Sequence, residues 1–192
     1  GYNYSKDELD RLRDIALKHD LFIISDEVYR EFNYTGLPHM SMMSYPEIAQ
    51  NVILIDSLSK RFSACGARIG MVATKNKEVL DTILKFAQQR LSPPTVEQIA
   101  SIALFDVKDE YFIEVNHEYI QRRDVLVAGL NSIEGVKCPT PKGAFYCMVQ
   151  LPVLDSDHFC QWMLEGFQYD GATVMMAPGA GFYSTEGLGK DE

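Results

Sequence analysis

Ser57-Leu58-Ser59-Lys60-Arg61-Phe62-Ser63-Ala64-Cys65-Gly66-Ala67-Arg68-Ile69-Gly70 is the stretch on which the reading of this chain turns. It follows a continuous apolar run, Val52-Ile53-Leu54-Ile55, and leads into another, Ile69-Gly70-Met71-Val72-Ala73. Runs of this kind are typical of strands buried on both faces of a sheet. A third run, Leu21-Phe22-Ile23-Ile24-Ser25, is likewise followed by a polar cluster, Asp26-Glu27-Val28-Tyr29. Ligands of open α/β sheets bind outside the carboxyl ends of the strands. An ionisable group leaving a buried strand is costly unless it is paired or used. Each residue also has a plain role open to it: Asp26 as a helix N-cap, Tyr29 as a half-buried aromatic, Lys60 as a solvated loop lysine.

Around these runs the pattern alternates helix and strand. Ser5-Lys6-Asp7-Glu8 has the form of a capping box and opens a helix to about His19, with Leu9, Leu12 and Ala16 on its apolar stripe. Helical periodicity returns at Lys77–Arg90, after Ser92-Pro93-Pro94, and in a long segment from about Lys108 to Asn131. Beyond it, Gly143–Gln150 and Thr173–Met176 read as strands. Ser156–Gln168 reads as an amphipathic helix whose Phe159, Trp162, Met163 and Phe167 form a small core, and Pro178–Gly181 is a glycine-rich loop. The fold class expected is α/β, followed by a smaller α+β unit.

Composition bounds the function classes. The chain has 192 residues, 46% hydrophobic and 23% charged, as in an ordinary globular protein. Its net charge of −9 argues against nucleic acid and anionic lipid as partners. No apolar run approaches the ~20 residues of a membrane-spanning helix, and Gly1–Ser5 lacks the basic start and apolar core of a signal peptide. The four cysteines, Cys65, Cys138, Cys147 and Cys160, show neither C-x-x-C nor zinc spacing and read as free thiols of a reducing, cytoplasmic compartment. The four histidines are scattered, so no metal site is expected. Glu27 and Arg30 read as surface or interface charges, Cys65 as packing, and His39, His117 and His158 as structural or exposed.

Taken together, Ser57-x-Ser59-Lys60-x-x-Ser63-Ala64-x-Gly66-x-Arg68-Ile69-Gly70, preceded 34 residues before the lysine by Asp26-x-x-Tyr29, resembles the lysine signature of class-I aminotransferases. Lys142-Gly143-Ala144-Phe145-Tyr146 and Pro178-Gly179 are similar to small-domain segments of that family. The resemblance implies an aspartate-aminotransferase-like fold with pyridoxal 5'-phosphate (PLP) as cofactor. Lys60 would form the Schiff base and then carry a proton between the substrate α-carbon and the cofactor. Asp26 would face the pyridine nitrogen and Tyr29 the phenolic oxygen. Arg68 and Ser57 would hold the phosphate, with Ser59 a weaker candidate. Gly66 and Gly70 would let backbone come close, or serve plain turns.

The resemblance further implies that residues 1–115 are the back half of a large PLP-binding domain and 116–192 a truncated small domain, bridged by the helix near 108–131. The partners implied are an amino acid, a 2-oxo acid and a second copy in a homodimer. The arginine that grips the substrate carboxylate is expected beyond Glu192, and the stacking aromatic and phosphate-binding turn before Gly1. The chain therefore reads as a fragment, inactive or nearly so alone. Aspartate is the preferred donor, then aromatic amino acids. Carbon–sulfur lyases and related synthases share the constellation, and some transcription regulators reuse the fold as an effector domain.

Overall fold

Ser5 starts the first helix as the sequence predicts. In the computed structural model, which describes residues 1–192, helix α1 spans Lys6–His19. Glu8 N–H donates to Ser5 Oγ while Ser5 N–H donates back to Glu8, which closes the capping box. Asp7 and Glu8 lie in the first turn and Lys18 in the last, each sign matching the helix dipole. Leu9 and Ala16 are buried, whereas Leu12 is more than a third exposed and only edges the packed face.

Three strands follow: β1 (Ile23–Asp26), β2 (Val52–Ser57) and β3 (Gly70–Ala73), in the order β1-β2-β3. β1 runs parallel to β2, with Asp26 opposite Ile55. β3 runs antiparallel to β2, with Ser57 opposite Gly70. The apolar runs thus form strands, but not strands covered on both faces. In β2 only Val52, Leu54 and Asp56 point into the protein, and Ile24 of β1 is 67% exposed. One face is covered by a cluster of Leu9, Ala16, Met42, Tyr45, Ile48 and Val52, with Ile48 and Val52 fully buried. Each large side chain there contributes roughly 1.5–3 kcal/mol. The opposite face of these strands has no such cover, so an unbroken apolar run here marks a strand without marking two buried faces.

The remaining helices are α2 (Leu58–Arg61), α3 (Lys77–Arg90), α4 (Thr95–Ser101), α5 (Asp109–Asn131) and α6 (Ser156–Glu165). The chain divides into two compact units, residues 1–118 with 142–144, and residues 119–141 with 145–192. Lys142–Ala144 is stitched into the first. Lys142 N–H donates to Gly1 O at 2.8 Å, Ala144 N–H to Phe32 O at 2.9 Å, and Tyr34 Oη to Ala144 O at 2.7 Å. A Cβ on Gly143 would lie 2.5 Å from Asn3 Oδ1, so a larger residue here would have to push the Asn3 side chain off its bonds to Asn33 Oδ1 and Lys142 O.

Gly143–Gln150, whose first two residues belong to the first unit, and Thr173–Met176 do not form the expected strands. Single bridges, Asn33 with Gly143, Lys137 with Gln150 and, just before the second segment, Tyr169 with Ala172, stand where ladders were anticipated. A pleated segment becomes a strand only when a neighbour supplies a continuous ladder, and one bridge does not. On α6 the buried residues are Ser156, Cys160 and Met163, while Trp162 is half exposed, so the aromatic core expected around it is replaced by a thinner one.

Candidate active site

Strand polarity gathers the candidate residues at one sheet edge. Because β1 and β2 are parallel, Asp26 and Ser57 close neighbouring strands on the same side. Because β3 is antiparallel, its beginning lies there too, placing Arg68 two residues before Gly70, the partner of Ser57. Lys60 is carried by α2, a single turn that starts at once from the end of β2.

Asp26 is exposed at the strand end and accepts from Val28 N–H at 3.3 Å, which bends the chain into the turn bearing Tyr29. Tyr29 is half-buried, its ring 6.3 Å from that of the buried Phe32. Ser57 caps α2: its Oγ accepts from Ser59 N–H at 3.1 Å and lies 2.9 Å from Ser59 Oγ and 3.1 Å from Ile69 O. Its single O–H is thus shared between two acceptors, and an incoming phosphate would compete with both. Arg68 takes a left-handed conformation (φ 54°), donates from Nη1 to Cys65 O at 3.1 Å, and is exposed with further N–H donors in its fork. Asp26, Ser57 and Arg68 share the edge without bonding to one another; each is tied to its own segment.

The two glycines of the motif differ. A Cβ on Gly70 would meet Asp56 O at 3.2 Å, so close backbone approach holds there, whereas Gly66 faces open space and serves its turn. Cys65 is exposed rather than packed, its Sγ 3.2 Å from Ser59 O.

Two buried clusters beside this edge were missed by reasoning from the sequence. Glu27, expected on the surface, is only 6% exposed. It accepts from Ser25 Oγ at 2.9 Å, Ser41 Oγ at 2.7 Å and Met42 N–H at 3.2 Å, and pairs with His39 Nε2 at 2.9 Å. Burial pushes its pKa up, but the bonds from His39, Ser41 and Ser25 outweigh burial and leave it below the ordinary carboxylate value. His39, which showed no partner in the sequence, has Glu27.

The second cluster joins Asp56, 4% exposed, to Arg61, with Arg30 and Glu31 completing it. Strand phase carried the signal for both acids. Ile23 and Ser25 share the less exposed phase of β1, which Glu27 continues just past its end, and Val52, Leu54 and Asp56 share the inward phase of β2. An acid on an inward phase calls for a partner.

The donor set fits PLP by its chemistry: an amine for the aldehyde carbon, a carboxylate for a protonated pyridine nitrogen, and a guanidinium with hydroxyls for a phosphate. The family model described as aminotransferase class I and II matches residues 1–186. An aspartate aminotransferase of Bacillus subtilis is 29% identical over 98% of this chain and 49% of its own length. An aromatic-amino-acid aminotransferase of Thermococcus litoralis is 31% identical over 95% of this chain and 46% of its own. Among solved structures, the alanine aminotransferase of Pyrococcus furiosus superposes with a TM-score of 0.78 at 31% identity, covering 93% of this chain and 46% of that one. The chain spans about half the length of the curated relatives it matches.

Proposed function

Since the chain belongs to the class I and II aminotransferase family and carries part of its PLP-dependent α/β fold, we propose that it supplies the lysine-bearing half of an aminotransferase that moves an amino group between an amino acid and a 2-oxo acid. The convergence of Asp26, Ser57, Lys60 and Arg68 on one sheet edge carries this reading. When bound, PLP supplies an aldehyde carbon for covalent attachment and a protonated ring that withdraws electrons.

The protein's own groups do the rest. Lys60 would hold the cofactor through its side-chain amine, and the same amine, when free, would serve as the base that moves a proton at the substrate α-carbon. Asp26 keeps a proton on the pyridine nitrogen by facing it with a carboxylate. Tyr29 donates its hydroxyl to the phenolic oxygen. Arg68 presents its fork to the phosphate, joined by Ser57 after its proton turns away from Ile69 O. Aspartate is the preferred donor, in line with the B. subtilis relative, and aromatic amino acids come next. The intact protein is proposed to work as a cytoplasmic homodimer.

The test is PLP titration, borohydride reduction and peptide mass mapping on this chain and on the intact protein. A reduced adduct on Lys60 is expected. Label scattered over other lysines of the intact protein, or absent from it, would overturn the assignment.

A further inference from the structure

We propose that Arg61 is a positioning residue for Lys60, locking the turn that carries this lysine onto the segment that carries Asp26 and Tyr29; this rests on the reading of Lys60 as the cofactor lysine. Asp56 immediately precedes Ser57 and Arg61 immediately follows Lys60, so the bond from Arg61 Nη2 to Asp56 Oδ2 ties together the two ends of Ser57–Lys60. Asp56 Oδ1 also accepts from Ser57 N–H at 2.7 Å, which fixes the carboxylate against the start of the same turn.

The other side of the guanidinium reaches across to the turn after β1. Arg61 Nε lies 3.4 Å from Glu31 Oε1, and Glu31 Oε1 lies 3.2 Å from Arg30 Nε. Arg30 Nη1 closes the circuit 3.8 Å from Asp56 Oδ2. Glu31 is itself pinned, its carbonyl accepting from Asn116 Nδ2 of α5 at 2.6 Å.

Two cations and two acids therefore form a ring between the ligand-bearing segments. Asp56 is its buried member and Arg61 its next least exposed, at 4% and 13% side-chain exposure. Buried Arg61 Nε has no hydrogen-bond partner, so the fork is held by Asp56 on one side and by charge attraction to Glu31 on the other. Only a planar, two-sided cation spans both acids; an ammonium meets one of them.

The experiment compares Arg61→Ala, Arg61→Lys and Lys60→Ala in the full-length protein. PLP affinity is read by equilibrium dialysis, and cofactor orientation by the induced circular dichroism per bound PLP. At metal sites, outer residues that orient a ligand-holding group contribute about tenfold to a hundredfold to affinity, and by the same argument Arg61→Ala should lose about that much PLP affinity and most of the induced signal. Arg61→Lys should recover part of both. Lys60→Ala should abolish covalent attachment. If Lys60→Ala loses attachment but Arg61→Ala keeps wild-type affinity and dichroism, the positioning role is wrong and the cofactor lysine stands. If Lys60→Ala attaches PLP as before, both fall. Should Arg61→Ala fail to fold, Arg61→Lys decides alone: a reduced dichroic signal supports the role and an unchanged one overturns it.

Discussion

Replacing Glu27 with alanine removes the acceptor for four groups and should cost about 3 kcal/mol, the sum of unequal parts. The largest part is the backbone N–H of Met42, buried and 3.2 Å from Glu27 Oε1; a buried donor left without a partner costs about 1–3 kcal/mol. The hydroxyls of Ser25 and Ser41 lose charge-assisted bonds but rotate toward other acceptors, so each contributes less. His39 is a third exposed, and solvent screens much of its share. Glu27→Gln keeps an oxygen for Met42 and Ser41 and should cost about 1 kcal/mol at neutral pH, the difference between a charged and a neutral acceptor.

The pH dependence separates the two contributions. The folded pKa of Glu27 is lowered, so its charge contributes stability in full above the unfolded value of about 4.3. That contribution is lost as pH falls through the lower folded value. The gap between wild type and Glu27→Gln should therefore be widest near neutrality and close in acid. Urea unfolding followed by far-ultraviolet circular dichroism across that range measures it. A gap that stays constant with pH, or an alanine variant no less stable than the glutamine one, would refute the account.

Three further outcomes are expected. Ile48→Ala, which empties a fully buried position of the cluster beside β2, should cost about 2–5 kcal/mol in urea unfolding; a loss under half a kilocalorie would mean the cluster is not the core. Tyr45 has its pKa raised to about 12 by burial and by its 2.7 Å bond to Asp10. Its stabilisation is thus complete below the unfolded value of about 10 and lost as pH rises through the folded one, and Tyr45→Phe should flatten that alkaline limb in thermal melts. Arg68→Ala should weaken PLP binding at equilibrium with the fold intact, and excess PLP should restore occupancy; no rescue at all would remove Arg68 from the phosphate site.

What the sequence made legible was local. The capping box of Ser5 and Glu8 needs only four consecutive residues, and the structure closes it. β2 was readable because its apolar run ends at once in polar turn residues. The pairing of Glu27 was not, because its partners His39 and Ser41 lie 12 and 14 residues away on a segment without periodicity. Asp56 and Arg61 are five residues apart, yet their pairing depends on α2 turning immediately after β2. Gly143–Gln150 failed as a strand for the complementary reason: its composition suits pleated backbone, but a ladder is a property of two segments.

The docking of Lys142–Ala144 into the first unit sets an order of events during synthesis. Phe32 O, Tyr34 N–H and the Asn3 side chain all find partners in those three residues. The ribosome delivers them only after the whole of α5. A nascent chain emerging at about 5–20 residues per second therefore exposes an unfinished seam around Phe32 for seconds. Closure of that seam comes later than the cluster around Ile48, whose members all lie within the first 52 residues.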